Sequence, residues 1–134
     1  YDAMTDSSLL DIAVLTDYLN GDQGARAVVD EAIADEQSVR VSATTILYLW
    51  RDRIVDRRTE IRLVALIRFL GQIPVTGEIA REAGSMRFDP VDGVSDDDLT
   101  MRAVNVVIAR ERGIPVRTRA VEWYEAQGCE VISY

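Results

Sequence analysis

The stretch Leu9-Leu10-Asp11-Ile12-Ala13-Val14-Leu15-Thr16-Asp17-Tyr18-Leu19 decides how the chain is read. Residues 9–14 read as a short buried strand, apolar except at Asp11. They pass into a brief helix that carries Asp17 and Tyr18 and ends near Asn20 and Gly21. A carboxylate at the end of a buried strand costs free energy unless something pairs with it. In open α/β sheets ligands collect just beyond the carboxyl ends of the strands, so Asp11 marks a candidate site.

Outward from this stretch, strand and helix signals alternate. Residues 25–36 place Ala25, Val28, Val29, Ala32 and Ile33 on one helical face. Val39 and Val41 fit a short strand, and Ser42 stands as the N-cap of a helix through Ile46, Leu49, Trp50 and Ile54. Residues 57–60 break the pattern. A further helix carries Leu63, Leu66, Ile67 and Leu70 and closes at Gly71. Residues 72–75 read as a third strand, Thr76 caps a helix over 77–87, and 88–94 is a loop. Ser95 and the three aspartates after it open a helix that stops at Gly113. Residues 114–118 form a strand, 121–127 a short helix and 130–133 a last strand. This alternation predicts an α/β protein, a three-layer α/β/α sandwich around a central, mainly parallel sheet.

Composition narrows the function. With 134 residues, 48% of them apolar, the chain can bury a real core, and residues 1–134 are read as one domain. No apolar run is long enough to cross a bilayer, and no basic-then-apolar leader is present. Met4 is a candidate natural start, with Tyr1 to Ala3 as residues left over ahead of it. Cys129 is alone, which fits a reducing cytoplasm. The absence of histidine excludes Ser-His and Cys-His catalysis and histidine-based zinc sites. Acidic residues number 23 against 15 basic ones, and every basic residue is arginine. Such Asp-rich, lysine-free composition resembles that of proteins of halophilic archaea, whose surfaces stay hydrated in concentrated salt; the alternative is a mesophilic protein that happens to be acidic. The net charge of −8 also opposes nonspecific nucleic-acid binding by bulk electrostatics.

The order of pieces resembles the PIN domain, in particular the VapC-type toxins of prokaryotic toxin–antitoxin pairs. The opening stretch is similar to the family's Asp-Thr-Ser/Asn-Val-Leu-Ile-Asp-Tyr-Leu pattern. Val41-Ser42-Ala43-Thr44-Thr45 resembles the start of its second conserved helix, and Pro74-Val75-Thr76-Gly77-Glu78-Ile79-Ala80 its middle segment. Gly113-Ile114-Pro115-Val116-Arg117-Thr118-Arg119 is similar to the penultimate strand, and Gly128-Cys129-Glu130-Val131-Ile132 to the ending. The resemblance implies metal-dependent cleavage of single-stranded RNA, in which converging carboxylates hold magnesium or manganese and generate the attacking hydroxide. It also implies a homodimer and an antitoxin-like protein partner.

Position by position, the acids are missing. Asp11 is present, but the family's glutamate falls at Tyr48. Counting back from Gly113, with Ala103 and Ala109 matching small residues, the third acid falls at Arg102. The Asn or Asp after the penultimate strand falls at Ala120. A guanidinium about 4 Å from a metal site would repel a dication by about 8 kcal/mol at an effective dielectric near 20, and no accessible pH removes its charge. Arg102 is therefore expected to replace the metal as the counter-charge of Asp11. The resemblance then implies a catalytically impaired relative that acts through protein or RNA binding, with no cofactor. The alternative is an active endoribonuclease using Mg²⁺ or Mn²⁺, with Asp98, one helical turn before Arg102, as second metal ligand and Asp96 or Asp97 nearby. A third reading is a structural partner in an RNA-processing complex. Asp17 is expected to be a solvated partner of the first helix.

Positive charge concentrates at Arg51, Arg53, Arg57, Arg58, Arg62 and Arg68. Pairing with Asp52, Asp56 and Glu60 within the helices is the expectation; a nucleic-acid surface, with Tyr48 or Trp50 stacking on a base, is the alternative. Trp50, Ile54, Leu63, Ile67 and Leu70 recur at helical spacing as core or dimer-interface residues, and Trp123 and Tyr124 are expected to pack the last helix on the sheet.

Overall fold

The computed structural model describes residues 7–35 and 38–134. Strand β1 (Ser8–Leu10) lies at the centre of a five-stranded, wholly parallel sheet. On one side of it follow β2 (Val39–Ser42) and β3 (Gly71–Ile73); on the other, β4 (Val116–Arg117) and β5 (Val131–Ile132). The strand order is therefore 3-2-1-4-5. The chain builds outward from β1 to β3, then returns across β1 to lay down β4, so the direction of winding reverses between β1 and β4.

Helices cover both faces, and β1 shows why. Leu9 and Leu10 are adjacent and both fully buried, which is possible only where each sheet face meets its own core. Leu10 packs with α1 (Ile12–Leu19), α2 (Gln23–Ala34) and α4 (Arg57–Ile67). Leu9 packs with α5 (Gly77–Ser85), α6 (Asp96–Arg112) and α7 (Val121–Ala126). Burying a leucine side chain is worth roughly 1.5–3 kcal/mol, so this pair alone ties β1 firmly to both layers. The sandwich and its parallel sheet are as the alternating pattern predicts.

Most helix starts follow from side-chain caps. Ser42, Thr76 and Ser95 accept from the backbone N–H three residues on, as read from sequence, and so do Asp22 and Asp56. Gly113 ends α6 at φ 65°, a left-handed conformation suited to glycine.

Several boundaries differ from expectation. The first strand stops at Leu10 and the helix begins at Ile12, so the apolar run 12–15 is buried as a helix. A short apolar run looks alike in either state. Residues 57–60, read as a break, open α4; the break falls instead just before Asp56, whose carboxylate caps Thr59. Gly71 does not close a helix: α4 ends at Ile67 and Gly71 opens β3 beside Arg40. The second helix ends at Ala34, while Glu36 and Met4 lie outside the described residues. The helix after β2 is interrupted as well, with α3 (Ala43–Tyr48) running into a π-helical turn over Leu49–Arg53.

Candidate functional site

Asp11 follows the last residue of β1 and Thr118 the last residue of β4, so the two meet where the winding reverses. This is the place in a doubly wound sheet where neighbouring crossovers leave a crevice open. The Asp11 N–H still donates to the carbonyl of Arg117 at 3.1 Å, which holds the two strand ends in register. Asp11 is 3% exposed, and its side chain does not cap α1. Instead its Oδ2 accepts a 2.7 Å hydrogen bond from Thr118 Oγ1. Thr118 Oγ1 in turn accepts from the Ala120 N–H at 2.9 Å. Ala120 thus contributes its backbone N–H to the site through Thr118.

A cleft of about 180 Å³ opens in front of Asp11. α1 supplies Ile12, Ala13, Thr16 and Asp17 to its wall, α6 supplies Asp98 and Arg102, and the π-helical turn supplies Arg53. Asp98 and Arg102 share one face of α6 because four residues make about one turn. Three residues further on, Asn105 is fully buried and its Nδ2 donates to the Tyr124 hydroxyl at 3.3 Å. Among the described residues Asn105 Oδ1 has no hydrogen-bond partner.

Charges in the cleft are largely spoken for, and not as expected. Arg102 makes no ion pair with Asp11 within 4 Å. Its guanidinium lies over the Trp123 ring, 5.1 Å from the centroid. Thr118 already occupies one Asp11 oxygen, and a cation–π contact worth about 0.5–2 kcal/mol holds the guanidinium aside. Arg53 reaches Asp98 at 3.7 Å and Thr16 Oγ1 at 3.4 Å. Asp17 accepts from the Tyr134 hydroxyl at 2.6 Å and from Arg119 at 2.9 Å, so it is tied to the far end of the chain rather than solvated alone. Burial pushes the Asp11 carboxyl above its ordinary range, with the Thr118 hydrogen bond and the Arg102 charge opposing and Asp98 adding to the rise. Asp17 behaves oppositely: burial would raise it, but Tyr134 and Arg119 together hold it below the usual carboxylate range.

Hard divalent cations need several oxygen ligands arranged around one point. Among the described residues no three Asp, Glu, His or Cys side chains form such a group. In the cleft the carboxylates of Asp11, Asp98 and Asp17 already have hydrogen-bond or ion-pair partners, and two guanidiniums stand among them. This donor set does not fit a catalytic magnesium or manganese ion.

Other candidate residues lie elsewhere. Tyr48 ends α3, does not line the cleft, and packs partly against the core with Arg51 over its ring at 5.6 Å. Pairing within the arginine-rich helices is limited, among the described residues, to Arg51 with Asp52. Arg51 and Arg53 reach across to Asp97 and Asp98 on α6, Asp56 is a helix cap, and Glu60 accepts from Trp50 Nε1. Trp50, Ile54, Leu63, Ile67 and Leu70 pack in or against the core, and Tyr124 is fully buried beneath Trp123. Sequence reading passed over Thr118 and Thr16 as site residues. The signal for Thr118 was its place at the carboxyl end of the strand expected over 114–118; that this strand lies beside β1 is seen only in the structure.

No family model and no curated protein matches the chain. Solved structures share its fold. It is similar to a chain of the VapBC2 complex from Rickettsia felis bound to a DNA fragment from its promoter. There the TM-score is 0.69 and the identity 9%, over 95% of this chain and 98% of that one. It is similar also to FitAcB from Neisseria gonorrhoeae, with TM-score 0.64 and 18% identity over 93% and 96% of the two chains. A toxin–antitoxin complex from Klebsiella pneumoniae matches with TM-score 0.63 and 17% identity over 87% and 88%. At such identities the likeness is one of fold, and the fold is the PIN-like α/β sandwich.

Proposed function

We propose that residues 1–134 form a single PIN-like domain related to VapC-type toxins, catalytically impaired and acting through protein or RNA binding. The observation that carries this reading is the cleft's charge pattern: guanidiniums of Arg53 and Arg102 stand where hydrolysis would need further carboxylates. An antitoxin-like partner is supported by the toxin–antitoxin complex among the neighbours. A homodimer is supported by the outer face of α4, where Ile61 and Val64 are 58% and 42% exposed. Among the described residues no helix is long and apolar enough to cross a membrane, and a cytoplasmic location remains part of the proposal.

A second reading is favoured by one observation: Asp11 and Asp98 line the same cleft. On that reading they are the residual metal ligands of an active magnesium- or manganese-dependent endoribonuclease. One pair of experiments separates the two. Single-stranded RNA is incubated with the protein and manganese at high salt, alongside Asp11→Asn, and manganese binding is followed by calorimetry. The impaired relative gives neither cleavage nor manganese heat. Cleavage that disappears in Asp11→Asn overturns it. Arg102→Asp, which restores an acid at the family position, is expected to create measurable manganese binding.

A further inference from the structure

The strongest unexplained group in the cleft is Arg102. Its guanidinium is half-buried and seated on Trp123, and it makes no hydrogen bond or ion pair with any described residue. Its donors are open to the cleft rather than sealed in the core, and a planar fork is suited to a doubly acceptor anion. Arg53, which lines the same cleft, is only loosely engaged, at 3.7 Å from Asp98 and 3.4 Å from Thr16. Both distances are long for charge-assisted contacts, which ordinarily close to 2.7–2.9 Å. The cleft's three carboxylates are each engaged, and an anion on Arg53 would have to share that guanidinium with Asp98. Asp11 faces Thr118, Asp98 faces Arg53, and Asp17 is held by Tyr134 and Arg119.

We propose that this cleft is an anion site, in which Arg102 and Arg53 together bind a phosphate group at the β1–β4 switch point. The proposal rests on the reading of the domain as a binding protein without a catalytic metal, and reverses the sign of the ligand. Two guanidiniums from different elements line this one cleft, one of them preset by an aromatic ring, and the planar guanidinium fork is the group that recognises phosphate oxygens. The cleft's volume of about 180 Å³ admits one such group with its water. A phosphate is favoured over a carboxylate because Trp123 also borders a second hollow, shared with Phe88 at a ring separation of 5.0 Å. That aromatic wall adjoins Arg102 and would take the flat organic part of a phosphate ester.

The test is calorimetric titration at constant ionic strength with inorganic phosphate, a nucleoside monophosphate, a dinucleotide phosphodiester and succinate, without divalent metal. Saturable phosphate binding is expected, weakened roughly tenfold or more in Arg102→Gln and to a lesser degree in Arg53→Gln. Arg102→Lys keeps the charge but loses the fork, and falls between the wild type and Arg102→Gln. Circular dichroism melts of each variant separate loss of the site from loss of the fold. Among the phosphate arms, the tightest identifies the source as free phosphate, monoester or diester. No saturable phosphate binding by the folded wild type overturns the proposal, as does succinate binding as tightly, which would assign the site to acidic peptides. Manganese binding with RNA cleavage would instead overturn the underlying reading, so the two failures are distinct.

Discussion

At the scale of single residues, Asp11 sets the chemistry. Its charge is taken from water and compensated by one hydroxyl and a guanidinium that is not in contact, so the ionised form is disfavoured. Because its folded pKa is raised above 3.8, the stabilisation linked to Asp11 is fully present below the unfolded value. It is lost as pH rises through the folded value. Asp11→Asn keeps an oxygen to accept from Thr118 and removes the buried charge. The variant is expected to melt several degrees higher than the parent at neutral pH, the advantage vanishing toward acid. Melts between mildly acidic and neutral buffers check this, and a variant that melts lower at neutral pH would mean that ion pairing outweighs burial. Asp11 stood out in the sequence as a lone acid in an apolar run. Its partner did not, because Thr118 lies 107 residues away and no local pattern ties the two.

At the scale of elements, the π-helical turn and the start of α6 build the cleft together. The turn gives the α3–α4 connection an uneven twist, which sends Arg51 and Arg53 toward Asp97 and Asp98. A periodicity of 3.6 predicts those arginines on a solvated face paired within their own helices; the extra residue in the turn is what redirects them. The start of α6 was legible, since Ser95 and three aspartates satisfy and complement the free N–H groups of the first turn. Ser95→Ala removes the hydrogen bond to the Asp98 N–H and is expected to cost about 1 kcal/mol. Urea unfolding measures it, and an unchanged midpoint would show that water replaces the cap.

At the scale of the whole molecule, charge and topology act separately. A net charge of −8 with arginine as the sole basic residue makes the folded chain repel itself in dilute buffer. Raising potassium chloride from ~0.1 M to molar concentrations shortens the screening length from about 10 Å to about 3 Å. The melting temperature is therefore expected to rise steadily over that range, and a flat or falling profile would argue against adaptation to salt. The sequence by itself determined the alternation of strands and helices, most caps, the buried acid at the end of β1 and the surplus of negative charge. These depend on neighbours a few residues apart. Only the tertiary structure decided that Thr118 would hold Asp11, that Trp123 would hold Arg102 away from it, and that Arg53 would enter the same cleft. The first two contacts exist because β4 returns to the side of β1 opposite β2, and the third because α6 packs beside the π-helical turn; such pairing between distant segments is set by sheet order and packing, not by local propensity.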